Sequence, residues 1–281
     1  MSLSLYPGAE AAPLALKDVR RALRTRSFGR QMLHFGRVGS TNEVARRLAR
    51  QGAPEGLLVW AEEQTAGRGR SGRRWEAPWG SALLVSLLLR PRFLPPERAF
   101  LLSALASLAI GEAVETLTGL PAEVKWPNDI LVNGRKCCGI LLELEATRHG
   151  IDAAVLGWGL NVNVRFEGAL AETATSLAEQ LDRPLPRLPL LVACLERLET
   201  RYHALRAGRY GEVWHEWRAR LRMLGKCVRV CSSEGAFVGE AVDVETDGAL
   251  LVRRGDGTLM RVVAGDVSIR PIAAAGSVVV E

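Results

Sequence analysis

One eleven-residue connection, Thr65-Ala66-Gly67-Arg68-Gly69-Arg70-Ser71-Gly72-Arg73-Arg74-Trp75, restricts the fold of this chain more than any other stretch. The run before it, Leu57-Leu58-Val59-Trp60-Ala61, and the run after it, Ala82-Leu83-Leu84-Val85-Ser86-Leu87-Leu88-Leu89, both read as strands. Its Gly67-x-Gly69-x-x-Gly72 spacing matches a dinucleotide fingerprint in letters, but that fingerprint needs a helix directly after the glycines to receive a pyrophosphate. Here Trp75, Pro78, Trp79 and Gly80 lead into a strand, so the dinucleotide reading is rejected. A P-loop is excluded as well, because no Gly-x-x-x-x-Gly-Lys-Ser/Thr occurs. What is left is a strand-to-strand loop of glycine and arginine with no carboxylate between Glu63 and Glu76. Glycine lets backbone N–H groups approach a ligand, and arginine offers fixed forks of donors to carboxylate or phosphate oxygens. Long connections of this kind are functional lids or solvated linkers, and the loop alone does not choose between them.

A chain of 281 residues holds one large domain, or a large one with a small one. Its 48% hydrophobic and 24% charged content is that of a soluble globular protein. A net charge of +6 permits anionic partners such as nucleotides without demanding nucleic acid. Among 37 basic residues, only Lys17, Lys125, Lys136 and Lys226 are lysines, and two of them fall within residues 125–136. The five cysteines include the adjacent Cys137-Cys138 and form no Cys-x-x-Cys, and the four histidines show no ligand-like spacing. A structural metal is therefore not expected, and a reducing cytoplasm is. Cys227 and Cys231 would share one strand face and read as small core residues. No basic n-region precedes Glu10, and the apolar runs near 81–89 and 99–111 read as too short to span a bilayer, so no membrane is expected.

Residues 1–13 read as a poorly ordered tail and residues 14–26 as one basic amphipathic helix. His34-Phe35-Gly36-Arg37-Val38 is a strand, and Gly39-Ser40-Thr41-Asn42-Glu43 opens a helix with a capping-box pattern from Ser40 to Glu43. Free N–H groups at such a helix start also suit a ligand, so capping and binding are compatible there. A helix over 96–117, strands over 124–132, 135–145 and 151–164, and helices over 187–206 and 210–222 follow. From Lys226 the pattern changes: short apolar runs at 227–230, 237–243, 249–253, 259–263 and 267–269 are separated by Glu234-Gly235, Asp247-Gly248 and Asp256-Gly257. Evenly spaced short strands with turn dipeptides predict a small SH3-like barrel. The fold class is α+β: a mixed β-sheet with flanking helices plus a small C-terminal SH3-like β-barrel. The expected division is 1–27 (tail and helix), 28–222 (main domain), 223–273 (C-terminal domain) and 274–281 (tail).

Two further patches carry chemistry. In Lys125-Trp126-Pro127-Asn128-Asp129-Ile130-Leu131-Val132-Asn133-Gly134-Arg135-Lys136-Cys137-Cys138-Gly139, the Asn133-Gly134 pair predicts a type I′ hairpin turn. A two-residue loop sets Val132 opposite Arg135, Leu131 opposite Lys136 and Asp129 opposite Cys138. Lys136 and Asp129 then share a face as diagonal neighbours roughly 7–8 Å apart, and that face is expected to line a pocket in which Lys136 reaches an anion. An ordinary hairpin accounts for Arg135 but not for an Asp and a Lys beside small residues on a central strand. In Leu156-Gly157-Trp158-Gly159-Leu160-Asn161-Val162-Asn163, glycines inside an apolar strand indicate close approach of a ligand or another part of the chain. Asn161 and Asn163 share a face there, and core packing fits that patch equally well.

Taken in order, Ser40-Thr41-Asn42, the loop from Gln64 to Trp75, Lys125-Trp126-Pro127-Asn128-Asp129, Gly134-Arg135-Lys136 with Gly139-Ile140-Leu141, Gly157-x-Gly159-x-Asn161 and Ala174-Thr175-Ser176-Leu177 resemble the hallmarks of biotin protein ligases, over roughly residues 28–270. Ala264-Gly265-Asp266-Val267-Ser268 resembles part of the small C-terminal domain of that family. The resemblance implies a class II synthetase-like catalytic domain that binds biotin and ATP, forms biotinyl-5′-AMP, and passes biotin to a lysine of the biotin carboxyl carrier protein of acetyl-CoA carboxylase or a related carboxylase. It implies Lys136, Arg70 and Asp129 as catalytic. Biotin would meet Ser40, Thr41, Asn42, Gln64, Arg68, Gly69, Arg70 and Lys136. ATP would meet Arg70, Arg73, Trp75, Asn128, Lys136 and Asn161, with Mg²⁺ accompanying it near Asn128. The family often dimerises through its central sheet, so a homodimer is admitted. The DNA-binding N-terminal domain of bifunctional members has no counterpart among these residues, so no DNA partner is expected. Trp158 stands where the family usually has a small or aliphatic residue, and Cys137-Cys138 replaces an aliphatic–alanine pair. The rival readings are a lipoate or octanoate ligase of similar fold, and a basic nucleic-acid-binding protein.

Overall fold

The computed structural model describes residues 3–148, 150–232, 235–264 and 268–271. In chain order they form β1 (Leu3–Leu5), α1 (Leu16–Ala22), β2 (Met32–Val38), α2 (Thr41–Arg50), β3 (Leu58–Gln64), β4 (Ala82–Leu89), α3 (Phe100–Thr118), β5 (Ala122–Lys125), β6 (Asp129–Val132), β7 (Arg135–Thr147), β8 (Gly150–Asn161) and β9 (Val164–Phe166). Then come α4 (Leu177–Leu181), α5 (Arg187–Arg206), α6 (Tyr210–Ala219), β10 (Cys227–Ser232), β11 (Gly235–Val244), β12 (Leu250–Arg253), β13 (Leu259–Val262) and β14 (Ser268–Pro271).

Seven strands make one mixed sheet in the order β2-β3-β4-β8-β7-β6-β5. β2 and β3 are its parallel pair, and the crossover that a parallel pair requires carries α2. All eight residues of β4 are buried because both faces of the sheet are covered, which explains why every one but Ser86 is apolar. Leu83, Val85, Leu87 and Leu89 face the core shared with α3 and α5, while Leu88 faces α2. The helix expected over 96–117 is α3 with a short 3₁₀ turn, Pro96–Arg98, before it and a left-handed Gly119 closing it. Its apolar stretch is longer than the 99–111 run read from the sequence. By length and composition Pro96–Thr118 is long enough to cross a bilayer, yet 67% of that window is buried against the sheet and α5, as suits a core helix.

The C-terminal strands form a five-stranded antiparallel sheet in the order β13-β12-β11-β10-β14, the arrangement an SH3-like domain needs. Gly248 and Gly257 take positive φ in the two Asp-Gly turns. The β11–β12 turn meets α6 and the β5–β6 turn: Trp214 Nε1 donates to the Glu245 carbonyl and Trp126 Nε1 to the Gly248 carbonyl, each at 2.9 Å. Cys227 is exposed and Cys231 half-buried on the outer face of β10, while Val228 and Val230 fill the core, so the two cysteines are not the core residues expected. Glu234, residues 265–267 and the tail at 274–281 lie outside the described residues.

Three local expectations change. From Leu3 onward the stretch expected to be a loose tail is tied down: β1 pairs with β9, the Tyr6 N–H donates to the Asn163 carbonyl at 2.8 Å, and the Leu14 N–H donates to buried Glu62 at 2.8 Å. The basic helix is shorter than 14–26: it ends at Ala22, Leu23 turns to extended backbone, and Glu199 accepts from the backbone N–H groups of Arg26, Ser27 and Phe28 in the bend that follows. The strand expected over 124–132 is two strands, β5 and β6, folded back on each other around Pro127 with Lys125 opposite Asp129.

Candidate active site

Gly139 on β7 and Gly157 and Gly159 on β8 leave the centre of the sheet bare on one face, and a cavity stands over it. A Cβ at Gly157 would come within 2.0 Å of Asn42 Oδ1, and one at Gly159 within 2.3 Å of the Trp75 ring. At Gly139 the same ring would be 2.8 Å away. The strand glycines therefore serve close approach by Asn42 and Trp75. Alternation sends Trp158, between two of these glycines, to the opposite face, where it is buried in the main hydrophobic cluster with Val85 and Ile140. With Val85 and Ile140 it is among the residues that line the floor of the cavity.

One end of the cavity is polar and uncharged. Ser40 takes the N-cap position of α2, but its side chain makes no capping bond, and the expected Ser40–Glu43 box is absent. Gln64, from the end of β3, does the capping instead: its Oε1 accepts from the Thr41 N–H at 2.7 Å and from Thr41 Oγ1 at 3.0 Å. Ser86 Oγ lies 2.8 Å from Thr41 Oγ1 and 2.6 Å from Asn42 Oδ1, and Asn42 Nδ2 donates to Glu143 at 2.8 Å. Sequence reasoning passed over Ser86 and Glu143. The signal for Ser86 was a lone hydroxyl inside an apolar strand, which when buried must find partners.

The other end is cationic. Asn133 and Gly134 both have positive φ, as the type I′ turn requires. Leu131 pairs with Lys136 as expected, but a bulge at Cys137 follows, so Asp129 pairs with Gly139 rather than Cys138. The extra residue lets Lys136 and Gly139 both face the cavity while Cys137 and Cys138 are buried behind it. Burial pushes both thiols far above their ordinary value, so neither supplies a thiolate. Lys136 Nζ lies 2.6 Å from Asp129 Oδ1 and 5.3 Å from the centre of the Trp75 ring. Arg70 donates to Asn128 Oδ1 at 3.3 Å. The loop folds as a narrow two-stranded unit, with the Gly69 N–H on the Arg73 carbonyl at 2.7 Å and the Trp75 N–H on the Gly67 carbonyl at 3.0 Å.

Ser40, Thr41, Asn42, Gln64, Arg68, Gly69, Arg70, Arg73, Trp75, Asn128, Asp129 and Lys136 all line this one cavity. Lys125 and Arg74 line it too and had not been assigned a role, although the scarcity of lysine pointed at Lys125. Asn161 is a correction: it is absent from the cavity wall, buried, and donates to the Thr175 carbonyl at 3.1 Å. Its neighbour Asn163 is likewise bonded to the backbone of Leu185 at 2.9 Å in both directions. Six cations face one carboxylate, Asp129, across the lining, which suits an anionic ligand. Among the described residues no group of three or more His, Cys, Asp or Glu side chains is placed to hold a metal.

The Biotin/lipoate A/B protein ligase family matches residues 35–161, and the Biotin protein ligase C terminal domain matches residues 223–270. A biotin–[acetyl-CoA-carboxylase] ligase of Mycobacterium tuberculosis is 35% identical over 257 residues, covering 88% of this chain and 94% of that protein. The bifunctional ligase/repressor BirA of Bacillus subtilis is 32% identical over 259 residues, covering 91% of this chain and 79% of that protein. Among solved structures, a biotin protein ligase from Aquifex aeolicus in complex with biotin and ATP superposes with a TM-score of 0.74 at 28% identity, covering 86% of this chain and 100% of that one.

Proposed function

The chain belongs to the biotin/lipoate A/B protein ligase family, as a biotin protein ligase, and from that premise we propose that it activates biotin as biotinyl-5′-AMP and transfers the biotinyl group to a lysine of a biotin carboxyl carrier protein, of acetyl-CoA carboxylase or a related carboxylase. The observation that carries this reading is the division of one cavity into a neutral polar end at Ser40, Thr41, Asn42 and Gln64 and a cationic end at Arg70, Arg73 and Lys136. Biotin offers a neutral ureido ring at one end and, at the other, a carboxylate that must meet a triphosphate, and that polarity matches.

In the first step a biotin carboxylate oxygen bonds to the α-phosphorus of ATP, the bond from that phosphorus to the bridging oxygen breaks, and pyrophosphate leaves. Two anions must approach each other, and Arg70 beside Asn128 lowers that repulsion. Arg73 is placed to hold phosphate oxygens, and Trp75 offers a flat face to the base. In the second step the acceptor amine bonds to the acyl carbon, the acyl C–O bond breaks, AMP leaves, and the amine loses a proton. Charge builds on carbonyl or phosphoryl oxygen in both steps, and Lys136, a compact cation on a rigid hairpin, is aimed where it builds. Asp129 already holds the Lys136 ammonium, which supports an orienting role for it over that of proton acceptor. Asn128 and Asp129 carry oxygen donors of the kind that Mg²⁺ prefers, and would hold the ion that accompanies ATP, which would supply charge neutralisation.

Pyrophosphate–ATP exchange with biotin, lipoate, octanoate or no acid tests the proposal. Exchange that requires biotin is expected. Exchange with lipoate or octanoate would keep the fold and replace the substrate, and none with any acid from folded protein would sink the reading.

A further inference from the structure

One carboxylate outside the set just assigned ties the polar end of the cavity to the arginine loop. Glu143 stands on β7, and two elements converge on it, α2 through Asn42 and Arg46 and the arginine loop through Arg68. Asn42 Nδ2 donates to its Oε2 at 2.8 Å, Arg68 Nη2 lies 3.1 and 3.2 Å from its two oxygens, and Arg46 Nη1 lies 3.5 Å from Oε1. Asn42 is fixed from its other side as well, by Ser86 at 2.6 Å and by the bare backbone of Gly157. Arg68 is bound to the rest of its loop, since it bridges to Arg74 while Gly67 and Trp75 are hydrogen-bonded at the base. Whatever holds Arg68 therefore also holds Trp75 on Gly139 and Gly159.

We propose that Glu143 is a positioning residue: it holds the arginine loop against the sheet through Arg68, which spans both of its oxygens, and through Oε2 it also registers Asn42 in the polar end of the pocket. An ionised carboxylate accepts at both oxygens, which this double role needs. Glutamine of the same shape keeps one acceptor for Asn42 and turns an NH₂ toward the donors of Arg68, so Glu143→Gln releases the loop first. The loop half of the proposal stands on geometry alone; the Asn42 half rests on the reading of the cavity as a biotin site.

Limited trypsin digestion of the ligand-free full chain, followed by mass spectrometry at Arg68, Arg70, Arg73 and Arg74, tests the loop half. Losing a charge-assisted contact to the rigid sheet should speed cleavage there about tenfold in Glu143→Gln. Arg68→Gln, a change at a half-buried loop side chain that leaves Glu143 bonded to Asn42 and Arg46, should do the same at the remaining three arginines, and the double variant should be no faster than the faster single one. If Glu143→Gln does not fold, Arg68→Gln decides alone. Wild-type cleavage rates in the folded variants overturn the loop half. For the Asn42 half, Glu143→Gln should raise KM for biotin in exchange by about fivefold or more, with a smaller fall in kcat; an unchanged KM overturns it. If wild-type protein shows no biotin-dependent exchange, the functional reading and the Asn42 half fall together, and trypsin still decides the loop half.

Discussion

The two ends of the cavity are built in opposite ways. At the polar end Ser40, Thr41 and Asn42 are 3%, 3% and 5% exposed, sit on the first turn of a helix, and are held by Gln64, Ser86 and Glu143 from three different strands. At the other end Ser71 to Arg74 are exposed, Ser71 and Gly72 both take positive φ, and the loop returns to the sheet through a few side chains. Neutral hydrogen-bond matching rewards a rigid site, because a misplaced donor leaves a buried group unpaired. A reactive acyl-adenylate rewards a cover that opens for ATP and closes against water. The contrast teaches that one cavity joins a buried, hydrogen-bonded half to an exposed loop half, with Lys136 at the cationic end between the sheet and the loop.

The largest expected effect tests Lys136. Removing a preorganised cation from the developing charge should cost about 2.7–4 kcal/mol of barrier, so Lys136→Ala should slow biotin-dependent exchange roughly 10²–10³-fold with a much smaller change in biotin KM. A variant that loses KM and keeps kcat would make Lys136 a binding residue and break the division.

The glycine pair sharpens it. Gly157→Ala drives a methyl into Asn42, which is bonded on both sides and has nowhere to go, so it should lower stability by about 1–3 kcal/mol and raise biotin KM. Gly159→Ala drives a methyl into Trp75, which can lift with its loop; thermal stability should stay within about 0.5 kcal/mol while KM for ATP rises. Equal melting-temperature losses would show that the loop end is as rigid as the polar end.

Much of this arrangement was legible in the sequence, for physical reasons. A strand buried on both faces must be almost wholly apolar, so β4 announced itself, and Asn133-Gly134 set a hairpin whose turn needs positive φ at both residues. Strand alternation put Lys136 and Asp129 on one face, and the cavity has both. Illegible features depend on distant partners. The bulge at Cys137 changes pairing without changing composition, and the capping of α2 by Gln64 replaces a local box that the letters Ser40 and Glu43 suggested. The box that does form, Ser176 with Glu179, lay inside a motif noticed only by resemblance. β1 is three residues long and finds its partner in β9, so nothing local marks it. Asn161 was assigned to the nucleotide by resemblance, and alternation gave no warning that Thr175 takes its amide.

Ligand protection probes the loop half directly. Closure over biotin and ATP should slow tryptic cleavage at Arg68, Arg70, Arg73 and Arg74 about tenfold at ligand concentrations near ten times Kd, while cleavage elsewhere is unchanged. Equal rates with and without ligand would leave the loop a passive rim and erase the difference between the two ends.

The smallest effect lies on the rigid side, at Glu199. Burial pushes its carboxyl upward, but the N–H groups of Arg26, Ser27 and Phe28 and the Ser27 hydroxyl, at 2.6–2.9 Å, outweigh that and hold it below the ordinary 4.5. A carboxylate with a depressed folded value stabilises the protein above its unfolded value, and that stability is lost as pH falls through the folded value. Glu199→Gln should therefore melt a few degrees below wild type at pH 7, with the gap closing as pH falls from the ordinary 4.5 through the depressed folded value. A gap that is constant with pH would mean that Glu199 acts by packing rather than by charge. Loop cleavage by trypsin should be the same in Glu199→Gln and wild type at pH 7, because Glu199 holds the entry to β2 and bonds to no residue of the arginine loop. Faster loop cleavage in that variant would instead show the framework and the loop to be one cooperative unit.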